Sequence, residues 1–243
     1  RLADARYLTP SALYDSLTVA TKILSGLLDT FETQYYQKLS QLPNPTLIGA
    51  DELSDALAKT IIHSNGFVWV GGIGGIGKTA LVHRTLHHLE LIQTFDDLIY
   101  VDLKKAPDPQ RNLRQQAILL IFDEVDYESA RIIRETYEPE VNPSKVIFVS
   151  RQHIEQVSAF MVPELSKQDS YTLLKQLLTE RQIDASDSRC NLWLKLIYQD
   201  WGGHPAALKT IVNRVASEPV AQITAGIKQR VIHTEVLYED VYY

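Results

Sequence analysis

Short apolar runs alternate with amphipathic stretches through the middle of the chain. Runs rich in β-branched and aromatic residues predict buried strands at 67–70, 98–101, 118–122 and 146–149. Apolar residues at helical spacing predict one helix from Asp51 to Ile62 and another from about Lys78 to Leu91. Strands that alternate with helices in this way predict an α/β fold with a parallel sheet covered on both faces.

The two ends of the chain do not share this alternation. Residues 12–39 carry an apolar stripe typical of one long helix, which packs on the sheet domain, mediates self-association or links an upstream effector domain. After Arg151 we expect only helices, at 165–178, 192–198 and 206–215. The expected segments are therefore an N-terminal helical segment and linker (1–43), a sheet domain (44–160), a small all-helical domain (161–236) and the truncated start of a further domain (237–243).

Composition and charge narrow the range of partners. The 243 residues carry a formal net charge of -6, which argues against direct, non-specific nucleic-acid binding. The single cysteine, Cys190, excludes an internal disulfide and is consistent with a reducing, cytoplasmic location. The longest apolar run, 117–122, is far shorter than the roughly 20 residues of a membrane helix, so no membrane contact is expected.

A glycine-rich segment follows the first predicted strand and fits G-x-x-x-x-G-K-[ST] at every fixed position. The residues that this motif predicts to bind a nucleotide are Gly72, Ile73, Gly74, Gly75, Ile76, Gly77, Lys78, Thr79 and the adjacent Ala80. Its backbone N–H groups and the following helix N-terminus would surround phosphates, with Lys78 reaching the β- and γ-phosphates and the Thr79 hydroxyl binding Mg²⁺. A glycine turn that binds nothing is the alternative, but the position between a strand and a helix favours a P-loop.

Two further strands end in charged residues at the same predicted edge of the sheet. Asp123 and Glu124 follow the strand at 118–122, so we expect Asp123 to hold Mg²⁺ beside Thr79 and Glu124 to polarise the attacking water. The alternative is a strand that ends in solvated acids. Arg151 follows the strand at 146–149 and is predicted to pair with the γ-phosphate, as a catalytic residue together with Lys78, Asp123 and Glu124. The alternative is an arginine that caps the strand in solvent.

These motifs together resemble the NB-ARC family of STAND signalling ATPases, of the bacterial type, over residues 45–243. The segments that carry the resemblance are the P-loop 71–81, the Walker B strand 118–124, Val149-Ser150-Arg151, Pro163-Glu164-Leu165-Ser166 and Trp201-Gly202-Gly203-His204-Pro205-Ala206-Ala207-Leu208. The resemblance implies that Pro205 packs on the nucleotide and that Ile48 and Gly49 contact the adenine. This chain departs from the family pattern at Ala50, where Arg is common, and at His204, where Leu is usual. The stretch before the Walker B strand is also short for the family.

The resemblance implies a switch that binds ATP or ADP with Mg²⁺, hydrolyses ATP slowly, and self-associates in its ATP state. It also implies partners in the form of an unseen effector or sensor domain, and a winged-helix domain that begins near Tyr238. The competing hypothesis is a turnover ATPase that remodels other molecules, of the AAA type, for which Asp123 and Glu124 provide some support.

Overall fold

The computed structural model describes residues 34–103, 116–137, 143–182, 195, 198–199 and 202–217. Most of the long helix predicted at 12–39 lies outside these residues, as do most of the helix predicted at 192–198 and the segment 237–243. The described helices are α1 (Gln34–Leu39), α2 (Asp51–His63), α3 (Lys78–Leu86), α4 (Leu89–Thr94), α5 (Tyr127–Tyr137), α6 (Lys167–Glu180) and α7 (Pro205–Ser217). The strands are β1 (Phe67–Gly71), β2 (Asp97–Asp102), β3 (Ile118–Asp123), β4 (Lys145–Ser150) and β5 (Ser158–Met161).

The strands form one five-stranded sheet in the order β2-β3-β4-β1-β5, and every pairing in it is parallel. Alternate strand residues sort into two apolar layers because successive side chains point to opposite faces of a sheet. In β3, Leu119 and Ile121 join the layer that contains residues of α2, α3 and α4. Leu120 and Phe122 join the layer that contains residues of α5. Burial on both faces explains why the strands read as continuous apolar runs, and the predicted α/β fold is confirmed.

Three local features differ from the sequence-based predictions. The helix predicted from Lys78 to Leu91 is two helices, because the side chain of His88 caps a new helix by accepting a hydrogen bond from the Glu90 N–H at 3.3 Å. The helix α5, which connects the parallel strands β3 and β4, was not predicted. The strand β5 was not predicted either, and it lies in the region where only helices were expected. This short edge strand alternates between half-buried and exposed residues, so it has no buried apolar run that would have indicated a strand.

The strand register aligns the carboxyl ends of the strands that carry the predicted motifs. Gly71, at the end of β1, pairs with Ser150 of β4 on one side and with Met161 of β5 on the other. Asp123, at the end of β3, pairs with Val149 of β4. The sheet therefore places β4 between the strand that enters the glycine-rich loop and the strand that ends in Asp123.

The helices α6 and α7 pack against each other through an apolar cluster of their own. Its buried members are Leu174, Leu177, Leu178, Leu208 and Val212. The segment between β5 and α6 is tied to the start of α7, since the Leu165 N–H donates to the Gly203 carbonyl at 2.9 Å. None of the described helices has the length and apolarity needed to cross a membrane. The segment boundaries at 43, 160 and 236 stay predictions.

Candidate functional site

The glycine-rich loop connects the buried end of β1 to the start of α3, as the motif requires. Within the loop, the Ile76 N–H turns back toward the Ile73 carbonyl at 3.4 Å. The ammonium group of Lys78, the first residue of α3, reaches back across the loop and donates to the carbonyls of Gly72 at 2.8 Å and Ile73 at 3.0 Å. The loop thus surrounds the head of its own lysine at the N-terminus of a helix, where anions bind readily.

Two cations meet at this loop. Burial lowers the pKa of Lys78, and the positive charge of Arg151 lowers it further, while Glu124 and Asp123 act in the opposite direction. Arg151 stands directly beside the loop, because a Cβ atom placed on Gly74 would lie 3.1 Å from the guanidinium carbon. The depressed pKa of Lys78 shows that its positive charge is held at a cost, which an anion bound in the loop would remove.

Asp123 is the centre of a polar cluster at the end of β3 and is 5% exposed. Its Oδ2 accepts hydrogen bonds from the Thr79 hydroxyl at 2.9 Å and from the Tyr100 hydroxyl at 2.5 Å. Its Oδ1 accepts from the Glu124 N–H at 2.8 Å. These hydrogen bonds hold the carboxylate in one orientation. The Thr79 hydroxyl, which the sequence predicted to bind the metal together with Asp123, lies next to it.

Tyr100 is a residue of this cluster that the sequence did not single out. Burial and the hydrogen bond to Asp123 both raise the pKa of the Tyr100 phenol, so it stays a donor at neutral pH. The ring of His83, from the second turn of α3, lies 4.9 Å from the tyrosine ring. The sequence could have indicated Tyr100, because this tyrosine lies near the end of β2 and the adjacent strand β3 ends in the predicted metal ligand Asp123.

The turns after β3 and β4 are joined to each other, and this positions the two remaining predicted residues. The buried Ser150 hydroxyl donates to the Val125 carbonyl and accepts from the Gln152 N–H at 3.1 Å. Glu124 stands at the tip of its turn, exposed, with a positive φ of 57°. Arg151 is exposed on the neighbouring turn, and the charges of both residues act on the ammonium group of Lys78.

A cleft of about 330 Å³ opens beside the loop. It is formed by the segment before α2, the loop and the start of α3, and the helices α6 and α7. The lining residues include Leu47, Ile48, Ile76, Gly77, Ala80, Val162, Leu173, Leu177, Pro205 and Ala206, with the polar Gln176, Glu180 and Lys209 among them. Ile48, Ala80 and Pro205, which were predicted separately from three distant segments, therefore line one cleft.

Gly49 is not one of the lining residues. It lies instead against the Asp169 carboxylate of α6, with which a Cβ atom on Gly49 would overlap at 2.6 Å. Gly72, Ile73 and Gly74, at the entry to the loop, also do not line the cleft, which borders only the second half of the loop.

The start of α7 touches the glycine-rich loop directly. The buried His204 imidazole, 3% exposed, places Nε2 2.8 Å from the Gly74 carbonyl oxygen. Its Nδ1 accepts a hydrogen bond from the Ala207 N–H at 3.2 Å, so Nε2 carries the proton and donates to Gly74. Next to this contact Gly75 adopts a φ of +73°, and a Cβ atom there would lie 2.6 Å from the Ala206 Cβ. We call α6 and α7 together the lid, because they cover the loop and one wall of the cleft.

The residues present fit a nucleotide with Mg²⁺. The cleft is as large as the smaller ligand sites of proteins and is mostly apolar, as a purine base requires. The loop at its edge offers a helix N-terminus and two cations for phosphates, and the Thr79 hydroxyl and Asp123 carboxylate are the hard oxygen ligands that Mg²⁺ prefers. No group of three or more His, Cys, Asp or Glu side chains in the described part of the chain is placed to hold a metal by itself. The chain thus has an α/β fold of the P-loop NTPase type, with a site that fits a nucleotide.

Comparison with known proteins agrees at the level of the fold. The chain is similar to the Walker-type ATPase of Pyrococcus abyssi, at 12% identity and a TM-score of 0.50 over 80% of this chain and 76% of that chain. It is also similar to a STAND protein with a tetratricopeptide repeat sensor from Pyrococcus horikoshii, at 16% identity and a TM-score of 0.48. That match covers 77% of this chain but only 33% of the other chain. The RuvB variant of Thermotoga maritima gives 14% identity and a TM-score of 0.45 over 72% of this chain and 66% of that chain. No protein-family model matches the chain, and neither does any curated protein. At 12% identity the likeness to the Walker-type ATPase shows the fold alone.

Proposed function

We propose that this chain is the nucleotide-binding part of a STAND signalling switch of the NB-ARC type, which binds ATP or ADP with Mg²⁺. The observation that carries the proposal is the direct contact between lid and loop. His204 and Ala206, at the start of α7, touch Gly74 and Gly75 of the loop that receives the phosphates. A change at the phosphates therefore reaches the lid without an intervening element.

The nucleotide would contact both the sheet domain and the lid. Its base would lie in the apolar cleft between Ile48, Ala80 and Pro205, and its phosphates in the loop at the start of α3. Thr79 and Asp123 would hold Mg²⁺, which neutralises phosphate charge when it is bound. The base-side contact that the family resemblance implies for Gly49 would be indirect, through its packing against α6.

Arg151 is the proposed reader of the γ-phosphate. Its guanidinium group lies beside Gly74, and Gly74 is also the residue that His204 contacts from the lid. An added phosphate would attract Arg151 and Lys78 together, which changes the packing at the position where lid and loop meet. Glu124, on the adjacent turn, is the proposed base for slow hydrolysis, which would return the site to its ADP state.

In this proposal the ADP state keeps the lid against the loop, and the ATP state reorients it, so that the chain self-associates and signals to an effector in the cytoplasm. A ligand shifts such an equilibrium only by its difference in affinity for the two arrangements. The lid–loop contact supplies a structural basis for such a difference, since any shift of the loop affects a hydrogen bond to the lid.

The test compares the full-length protein with ADP and with a non-hydrolysable ATP analogue, each with Mg²⁺. Small-angle scattering and light scattering should report a different lid position and a larger assembly with the ATP analogue. Lys78→Ala is the matched control, which should give the same result with either nucleotide. Identical shape and association state with both nucleotides would refute the switch. Rapid hydrolysis independent of assembly, abolished by Glu124→Gln, would instead indicate a turnover ATPase.

A further inference from the structure

His204 connects the lid to the glycine-rich loop through a single side chain. It is nearly fully buried at 3% exposure, and both of its ring nitrogens are engaged. Through Nδ1 it accepts the Ala207 N–H and thereby caps the first turn of α7. Through Nε2 it donates to the carbonyl of Gly74, a residue 130 positions away in the sequence. A leucine at this position would do neither.

The hydrogen bond from His204 to the Gly74 carbonyl also fixes the direction of the N–H group in the same peptide unit. A peptide unit is planar and trans, so the carbonyl of Gly74 and the N–H of Gly75 point in opposite directions. A donor that holds the Gly74 oxygen on the lid side therefore holds the Gly75 N–H on the side away from the lid. Glycine on both sides of this peptide lets it rotate with little steric resistance, so its orientation needs an external support.

We propose that His204 is a positioning residue that holds the Gly74–Gly75 peptide in the orientation in which the Gly75 N–H serves as a phosphate donor. The inference rests on the proposed function, since it assigns the bound phosphate to this loop. It adds that part of the loop's phosphate affinity is supplied by the lid through one hydrogen bond. By reciprocity, a phosphate bound at the Gly75 N–H strengthens this one contact of the lid, and the lid reorientation proposed for the ATP state weakens the hold of this donor on the phosphate.

The two bonds of His204 can be separated by substitution. In His204→Asn, the side-chain oxygen replaces Nδ1 and keeps the helix cap, but no atom remains at the position of Nε2 to reach Gly74. In His204→Gln, the amide nitrogen replaces Nε2 and can donate to Gly74, while the helix cap is lost. The two variants therefore form a matched pair, one without the contact to the loop and one without the cap.

The experiment measures the affinity of the full chain for ADP and for adenosine by calorimetry. In the proposed arrangement adenosine would occupy the cleft without a phosphate, so its affinity reports on the cleft and the lid alone. We expect His204→Asn to weaken ADP binding by about threefold to tenfold, the range for one lost hydrogen bond, and to leave adenosine affinity unchanged. His204→Gln should bind ADP within about twofold of the native protein.

Several results would overturn the inference. One is native ADP affinity in His204→Asn, and another is an equal loss for ADP and adenosine, which would indicate a merely structural role. If His204→Asn does not fold, His204→Gln still decides, because weakened ADP binding there, with adenosine affinity retained, contradicts the proposed contact. A native protein that binds no nucleotide would instead refute the proposed function itself.

Discussion

Replacing Gly75 with alanine tests whether the lid and the loop are in contact in solution. The backbone at Gly75 has a φ of +73°, and the new Cβ atom would lie 2.6 Å from the Ala206 Cβ, about 1 Å inside ordinary carbon–carbon contact. Either the loop or the start of α7 must move to accommodate it. The substitution therefore disturbs the lid–loop contact without changing any charged or hydrogen-bonding side chain.

The magnitude follows from two separate costs. A non-glycine residue in the left-handed region costs about 1 to 2 kcal/mol. Overpacking by one methyl group against an ordered neighbour costs about 1 to 3 kcal/mol. Gly75→Ala should therefore lower the free energy of unfolding by about 2 to 5 kcal/mol. If the start of α7 moves away from the loop instead, the substitution should weaken nucleotide binding.

A double-mutant cycle separates these costs. Ala206→Gly removes the methyl group that the new Cβ would strike, and by itself should cost about 0.5 to 1 kcal/mol. In Gly75→Ala/Ala206→Gly the overlap is gone while the backbone strain remains, so the double variant should recover about 1 to 3 kcal/mol relative to the sum of the two single variants. Urea unfolding and ADP titration provide the two measurements. Strictly additive effects would show that the loop and the lid do not touch.

Three further predictions concern the charged residues of the site. Asp123→Asn should reduce ATP affinity in Mg²⁺ by about tenfold or more, and leave the affinity measured in EDTA unchanged, because the variant loses the charge that attracts the metal. Arg151→Ala should weaken binding of ATP by about tenfold while ADP binding changes by less than about twofold, in fluorescence titrations of both nucleotides. Burial lowers the pKa of Lys78 below its ordinary value and bound phosphates would raise it again, so ATP binding should take up protons at alkaline pH. Calorimetry in buffers of different ionisation enthalpy measures this uptake.

Each of these predictions has an outcome that contradicts it. Equal losses with and without Mg²⁺ in Asp123→Asn would point to a folding defect rather than to a metal site. Parallel losses for ATP and ADP in Arg151→Ala would remove its role as a γ-phosphate reader. Proton uptake that persists in Lys78→Met would assign the titration to another group.

The strands and the loop were predictable because the signals that specify them are local. Burial on both faces makes β1, β3 and β4 continuous apolar runs, and the order of Gly, Lys and Thr in the loop follows from the geometry of phosphate binding. The edge strand β5 was missed because its half-exposed residues carry no such run. The break before α4 was missed because it depends on a cap by the side chain of His88, a residue that apolar periodicity alone does not distinguish.

The sequence alone determined the α/β class, the P-loop and the charged strand ends, because spacing and residue type within a few positions are sufficient for those features. The tertiary structure alone decided which residues meet. It brought Tyr100 to Asp123, joined Ile48, Ala80 and Pro205 in one cleft, and placed His204 against Gly74. The two hydrogen bonds link residues that lie 23 and 130 positions apart, and all of these contacts depend on how the sheet and the lid pack. No local pattern encodes that packing, because a side chain such as His204 has the same chemistry whether it faces solvent or the loop.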